Sequence, residues 1–288
     1  MTIGTRSLTL AALVAVGCLP EDTRPPPATV TVNFRAGEAT ARGFDTLDGW
    51  HVRFERFVVS IGGGDLDGDA CTSYGGGDYF RLLDGLNATP QKLGLAYALG
   101  TCAFEVRVRN PELDSLLGAG ITEADKTAMR DPGSDAHEQN AGMTFWVRGV
   151  AERASARKSF EWKYRRRRVG YQDCVIDGVD TFTLVGNQEK TVEVRVHGEG
   201  LFQDHPEPEK ARLRFDPIAA ADADGDGAVT LEELDKVPMA SSGIDLSGVE
   251  GSDRVKTLGD FVYDGLFPQV IRVGEKGSCK LRRGPRND

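Results

Sequence analysis

The sequence predicts a mainly β protein, an antiparallel sandwich followed by a helical C-terminal part. Three observations carry that expectation. Apolar and polar residues alternate through most of residues 29–200, the period of a half-buried strand. Glycine is frequent, 35 of 288 residues, and so are turns. Beyond residue 200 the spacing changes to that of helices, most clearly at Leu258, Val262 and Leu266, with Pro268 beyond as a stop.

The strands follow in order. Val30, Val32 and Phe34 alternate, as do Trp50, Val52 and Phe54. Phe57, Val59 and Ile61 continue in the opposite phase, which predicts a β-bulge between Phe54 and Phe57. Phe104, Val106 and Val108 alternate with Glu105, Arg107 and Arg109. Met143 to Val150 and Phe160 to Tyr164 read as two strands joined through residues 152–158, and Thr181 to Leu184 with Val192 to Val196 as a hairpin across Gly186 and Asn187. A short helix is expected over Thr122 to Met129, where Thr122 and Asp125 make a capping-box start. Helical spacing returns in residues 208–237 and 254–267, so residues 201–288 form a helical region expected to pack on the sandwich of residues 29–200.

Composition limits the function. With 40% hydrophobic and 27% charged residues the chain is an ordinary folded protein. Its net charge of −9 argues against a nucleic-acid partner, because most of the surface would repel phosphate.

Residues 1–17 have the form of an export signal: Arg6, then an uncharged run from Ser7 to Gly17 that is too short to span a bilayer. Ala15-Val16-Gly17-Cys18 resembles the lipobox of bacterial lipoproteins, with Ala15 in place of the usual Leu. The resemblance implies a lipid on Cys18, hence membrane attachment, and Leu19 in place of Asp resembles lipoproteins delivered to the outer membrane. Residues 18–28 are rich in proline and read as a tether between anchor and cargo. Export also suits the other cysteines, Cys71, Cys102, Cys174 and Cys279, which are even in number. They allow three pairings. We favour Cys71–Cys102 with Cys174–Cys279, the second crossing the boundary near residue 200. No two lie at CxxC distance, which argues against a zinc site.

One motif is strong. Residues 222–233 read DADGDGAVTLEE, fitting D-x-D-x-D-G-x5-E. Ca²⁺ is a hard cation that takes six to eight oxygens, and Asp222, Asp224 and Asp226 place carboxylates around a tight loop that Gly227 lets turn. The segment resembles the calcium loop of the EF-hand family. That resemblance implies a carbonyl ligand from Ala228, a ligand from Thr230 directly or through water, and a bidentate carboxylate from Glu233, with Val229 packing the loop. No second loop is present to pair with it and Pro238 stops the exiting helix, so a structural rather than a regulatory ion is expected.

Weaker tracts carry alternatives. His197, Asp204 and His205 fall within nine residues and could hold zinc or copper, making a transition-metal protein or a metal-dependent enzyme; strand-end polar residues facing water are the plainer reading. Asp65 to Asp69 opens like the calcium loop but has Ala70 where the glycine belongs, and reads as a solvated acidic loop. Residues 148–168 hold nine Lys or Arg against two Glu, and residues 203–235 hold three against ten Asp or Glu. These blocks either pair within the fold or leave the basic one for anionic lipid or polysaccharide, and internal pairing is favoured. No catalytic constellation is present, so a non-enzyme is expected. In layout, with TLDGWHVRFERFVVSIG near its start and one EF-hand loop late, the chain resembles bacterial envelope lipoproteins with a transthyretin- or immunoglobulin-like body. That resemblance implies a calcium-binding protein of the cell surface or periplasm with an unknown protein or polysaccharide partner.

Overall fold

Alternating strands need a layer over their apolar face, and here one sheet curls around a core that it shares with the chain after residue 200. The computed structural model describes residues 25–76, 80–133, 142–166, 168–207, 209–247, 249 and 251–283. The export signal, Cys18 and the tether as far as Arg24 lie outside these residues, as do Asp78 and Arg167. The principal strands are β1 (Ala28–Ala36), β2 (His51–Gly62), β3 (Gln91–Arg109), β4 (Met143–Arg153), β5 (Ala156–Arg165), β6 (Arg168–Val175), β7 (Glu189–Val196), β8 (Ala228–Val229), β9 (Ile271–Val273) and β10 (Ser278–Arg283). With several shorter strands they form a curled 16-stranded sheet whose main path runs β8–β5–β4–β2–β3–β1–β7–β9. The protein is mainly β.

Most neighbours are antiparallel, as expected, but the sheet is mixed. β1 pairs parallel with β7, and β8 pairs parallel with β5. The expected hairpin around Gly186 is the point of departure. A turn does form there, with Gln188 N donating to Val185 O and Asn187 at φ 61°. Phe182–Leu184 nevertheless pairs with residues 100–102 of β3, whereas β7 goes to β1 and β9. Period-two alternation states which face is buried and is silent on the direction of the neighbour.

β3 is the axis of the curl. One end pairs with β1 and the other with β6. Nineteen extended residues would reach about 60 Å, so the strand has to bend. Gly100 sits at the bend with φ 95°, where an added Cβ would lie 2.1 Å from Ala70 O. β2 carries the bulge read from its phase change, with a register shift between Phe54 and Arg56. Past it both faces are covered. Phe57 and Val59 face the main core, and Val58 joins Leu82, Ile121, Met129 and Met143 on the other side, beneath α2 (Glu123–Arg130). Thr122 and Asp125 cap α2 reciprocally.

The chain beyond residue 200 departs from its expected form. Among the described residues of 208–237 there is no continuous helix; there are single turns, at α3 (Asp216–Ala219) and α4 (Leu231–Leu234). Pro217, Gly225 and Gly227 break that stretch, so apolar spacing alone overstates helix length. A longer run of turns covers residues 258–269, beginning with α5 (Leu258–Asp260) and including a wide π-type segment at Phe261–Leu266. This part shares the core of the sheet. Phe202 and Phe215 pack against Phe160, and Phe267 against Phe145 and Tyr164.

Both disulfides take the favoured pairing, Cys71–Cys102 and Cys174–Cys279. The second joins the adjacent strands β6 and β10 and ties the C-terminal segment to the sheet. Two disulfides fit an oxidising, extracytoplasmic compartment. Among the described residues, no helix is long and apolar enough to cross a membrane.

Candidate metal centre

The acidic loop is held at three places, two of them by parts of the chain distant in sequence and one by its own capping box. The first is its approach. Asp48, in the TLDGW segment, accepts hydrogen bonds from Phe215 N (2.9 Å) and Asp216 N (2.7 Å). Trp50 Nε1 donates to Asp216 Oδ1 at 2.9 Å, and Arg153 stacks on the Trp50 ring while pairing with Asp216. Burial pushes the Asp48 carboxyl up, but the Thr46 hydroxyl and the two amides outweigh it and hold Asp48 below the usual range.

The second is the middle. β8, the Ala228–Val229 pair, lies parallel to Ser159 and Phe160 of β5. Ser159 N donates to Gly227 O (2.8 Å), and the buried Trp162 Nε1 donates to Val229 O (2.9 Å). Val229 is fully buried, as the loop-packing residue should be. The sheet edge at β5 is thus the surface on which the middle of the acidic loop packs. The third is the exit, where Thr230 and Glu233 cap α4: Glu233 Oε2 accepts from Thr230 N, and Thr230 Oγ1 from Glu233 N.

Within these supports, ligand oxygens of Asp222, Asp224 and Asp226 lie within 4.8 Å of one another. Gly225 and Gly227 take φ of 75° and 85°, so the chain can wrap tightly. Asp222 receives Gly225 N (2.9 Å) and Gly227 N (3.0 Å), Asp224 receives Asp226 N (3.1 Å), and Asp226 receives Ala228 N (2.7 Å). Glu233, occupied at the cap, does not belong to the cluster of three. The ammonium of Lys158, from β5, pairs with Asp222 Oδ2. That hydrogen bond is the largest influence on Asp222; burial opposes it, the two glycine amides reinforce it, and the carboxyl stays below the usual range. The donor set suits a hard cation: anionic oxygens, no nitrogen or sulfur. Neither Lys158 nor Asp48 was singled out by sequence reasoning. The only signals were the opposed charges of residues 148–168 and 203–235 and the unassigned TLDGW segment. Arg153–Asp216 and Lys158–Asp222 are where the two charged blocks meet.

The other tracts do not converge. His197 Nδ1 lies 2.9 Å from Glu199 Oε1, whose second oxygen is 2.9 Å from Thr40 Oγ1 in α1 (Glu38–Arg42). Asp204 accepts from Arg212 N and Arg214 Nε, and His205 Nδ1 accepts from Glu207 N. Among the described residues, the cluster of three aspartates is the one group of three or more His, Cys, Asp or Glu placed to share an ion, so His197, Asp204 and His205 are not brought together. Asp65 pairs with Arg107, and Asp65–Asp67 is a short strand beside residues 103–105.

Fold and site together define a β-rich, doubly disulfide-bonded protein with one acidic loop docked on the edge of its sheet. No family model matches the chain, and neither a curated protein nor a solved structure does so.

Proposed function

We propose that the chain is a calcium-binding, non-enzymatic lipoprotein of the bacterial cell envelope, anchored at the outer membrane or cell surface through Cys18 and binding a protein or polysaccharide partner there. Its ion is structural. The observation that carries this reading is the convergence of Asp222, Asp224 and Asp226 in a loop whose two glycines have left-handed backbone. Ala228, through its carbonyl, Thr230 and Glu233 would complete the oxygen shell. The lipobox-like residues before Cys18 support the anchor, and the two disulfides support export.

An ion that binds only the folded state stabilises it by RT ln(1 + [Ca]/Kd). Extracellular loops of this kind bind at roughly 0.1–1 mM, so 1 mM calcium contributes about 0.4–1.4 kcal/mol. Calorimetry of the full chain should show calcium binding in this range, and chelation should lower the melting temperature by a few degrees. Glu233→Gln should remove most of that response and leave the sheet folded. No binding up to several millimolar calcium would refute the reading.

A further inference from the structure

The acidic loop has a side-chain cation beside it, supplied by the strand it packs on. Lys158 reaches from β5 to Asp222, the first residue of the motif, across 64 positions of sequence. The Asp222 side chain is 0% exposed and that of Lys158 24%, so the pair is shielded from water on the carboxylate side. Among the described residues, neither Asp224 nor Asp226 has an ion pair. The main chain of the loop is independently fixed by β8, by Trp162 Nε1 and by the cap on α4. Lys158 therefore balances the charge of one of the three converging aspartates.

We infer that Lys158 is a tethered stand-in for the ion, an internal competitor that holds the loop when calcium is scarce and weakens calcium binding when it is not. This rests on the calcium reading above. An ammonium offers one positive charge and three hydrogen-bond donors to one carboxylate; Ca²⁺ offers two charges and needs six to eight oxygens. The two cations repel each other when both face Asp222, so each disfavours the other. By linkage, removing the ammonium strengthens calcium binding by the factor the pair contributes to the calcium-free state.

The test uses the full, disulfide-bonded chain titrated with calcium alone in a calorimeter, and melted in chelator. Lys158→Met keeps the stem of the side chain and removes the charge; Lys158→Arg keeps the charge. Lys158→Met should lower the Kd for calcium about fivefold, the top of the range for partly exposed ion pairs, and lower the chelated melting temperature by about 2 °C. Lys158→Arg should stay within about twofold of the parent, because its charge still faces Asp222. An equal or higher Kd in Lys158→Met overturns the stand-in and leaves the calcium reading intact. An unchanged melting temperature in chelator overturns the claim that Lys158 holds the calcium-free loop. No binding in either parent or variant overturns both readings.

Discussion

The curled sheet and the chain after residue 200 share one core but hold their shapes differently. In the sheet, long ladders hold neighbouring strands: β2 pairs with β4 over eight positions, and β1 with β7 over eight. In the last third, single turns are fixed by individual ties: Asp48 at α3, Trp162 at β8, and caps at α4 and α5. Redundant pairing spreads the effect of a substitution, whereas a single tie concentrates it. The difference predicts where damage stays local.

The largest test cuts the bond that joins the two regions. Opening Cys174–Cys279, at a separation of 105 residues, should cost roughly 5 kcal/mol in the chain-entropy account, against roughly 4 for Cys71–Cys102 at 31. Paired Cys→Ser variants compared by denaturant unfolding measure both. A larger loss at Cys71–Cys102 would show that the two regions depend on each other less than their common core implies.

The next test removes a single tie. Asp48→Ala leaves the amides of Phe215 and Asp216 without their carboxylate and should cost about 1–2 kcal/mol. Hydrogen exchange should quicken at those two amides and in α3 while β3 and β4 stay protected. Exchange that quickens uniformly would erase the contrast between the regions.

The smallest effect is in pH. Glu199 is held below its ordinary 4.5: burial raises it, but the His197 hydrogen bond and charge, helped by Thr40, lower it more. Asp48 is likewise held below 3.8. A depressed folded value favours the native state fully above the unfolded pKa, and that contribution is lost as the pH falls towards the folded value. Stability should therefore decline from about pH 5 downward, and Glu199→Gln should flatten the decline. The same slope in parent and variant would remove Glu199 from the account.

What was legible in the sequence follows the reach of each interaction. Alternation marked Val30, Val32, Phe34, Phe104, Val106 and Val108 as core, and all are fully buried. The phase change in β2 located its bulge, and Thr122 with Asp125 located the start of α2. These are patterns among near neighbours. The parallel partner of β1 lies some 160 residues away and leaves no mark on alternation. The spacing of the three aspartates was equally local, and the structure brings them together. Lys158 and Asp48 reach the loop region across 64 and 167 residues, and charge totals alone could not name them. The helical reading of residues 208–237 failed because apolar periodicity was weighed above Pro217, Gly225 and Gly227.

The pairing of β8 with β5 also has a consequence for neighbouring molecules. β5 lies near the end of the sheet, and β8 offers its outer side only two residues, Ala228 and Val229. Unpaired main chain at such a place is a template on which another chain can add a strand. Gly227 O already accepts from Ser159 N there, and the acidic loop that brings it carries a cluster of negative charge. The loop thus covers part of the border of the sheet, and a strand added there would meet a ladder that Ala228 and Val229 already occupy at Ser159 and Phe160.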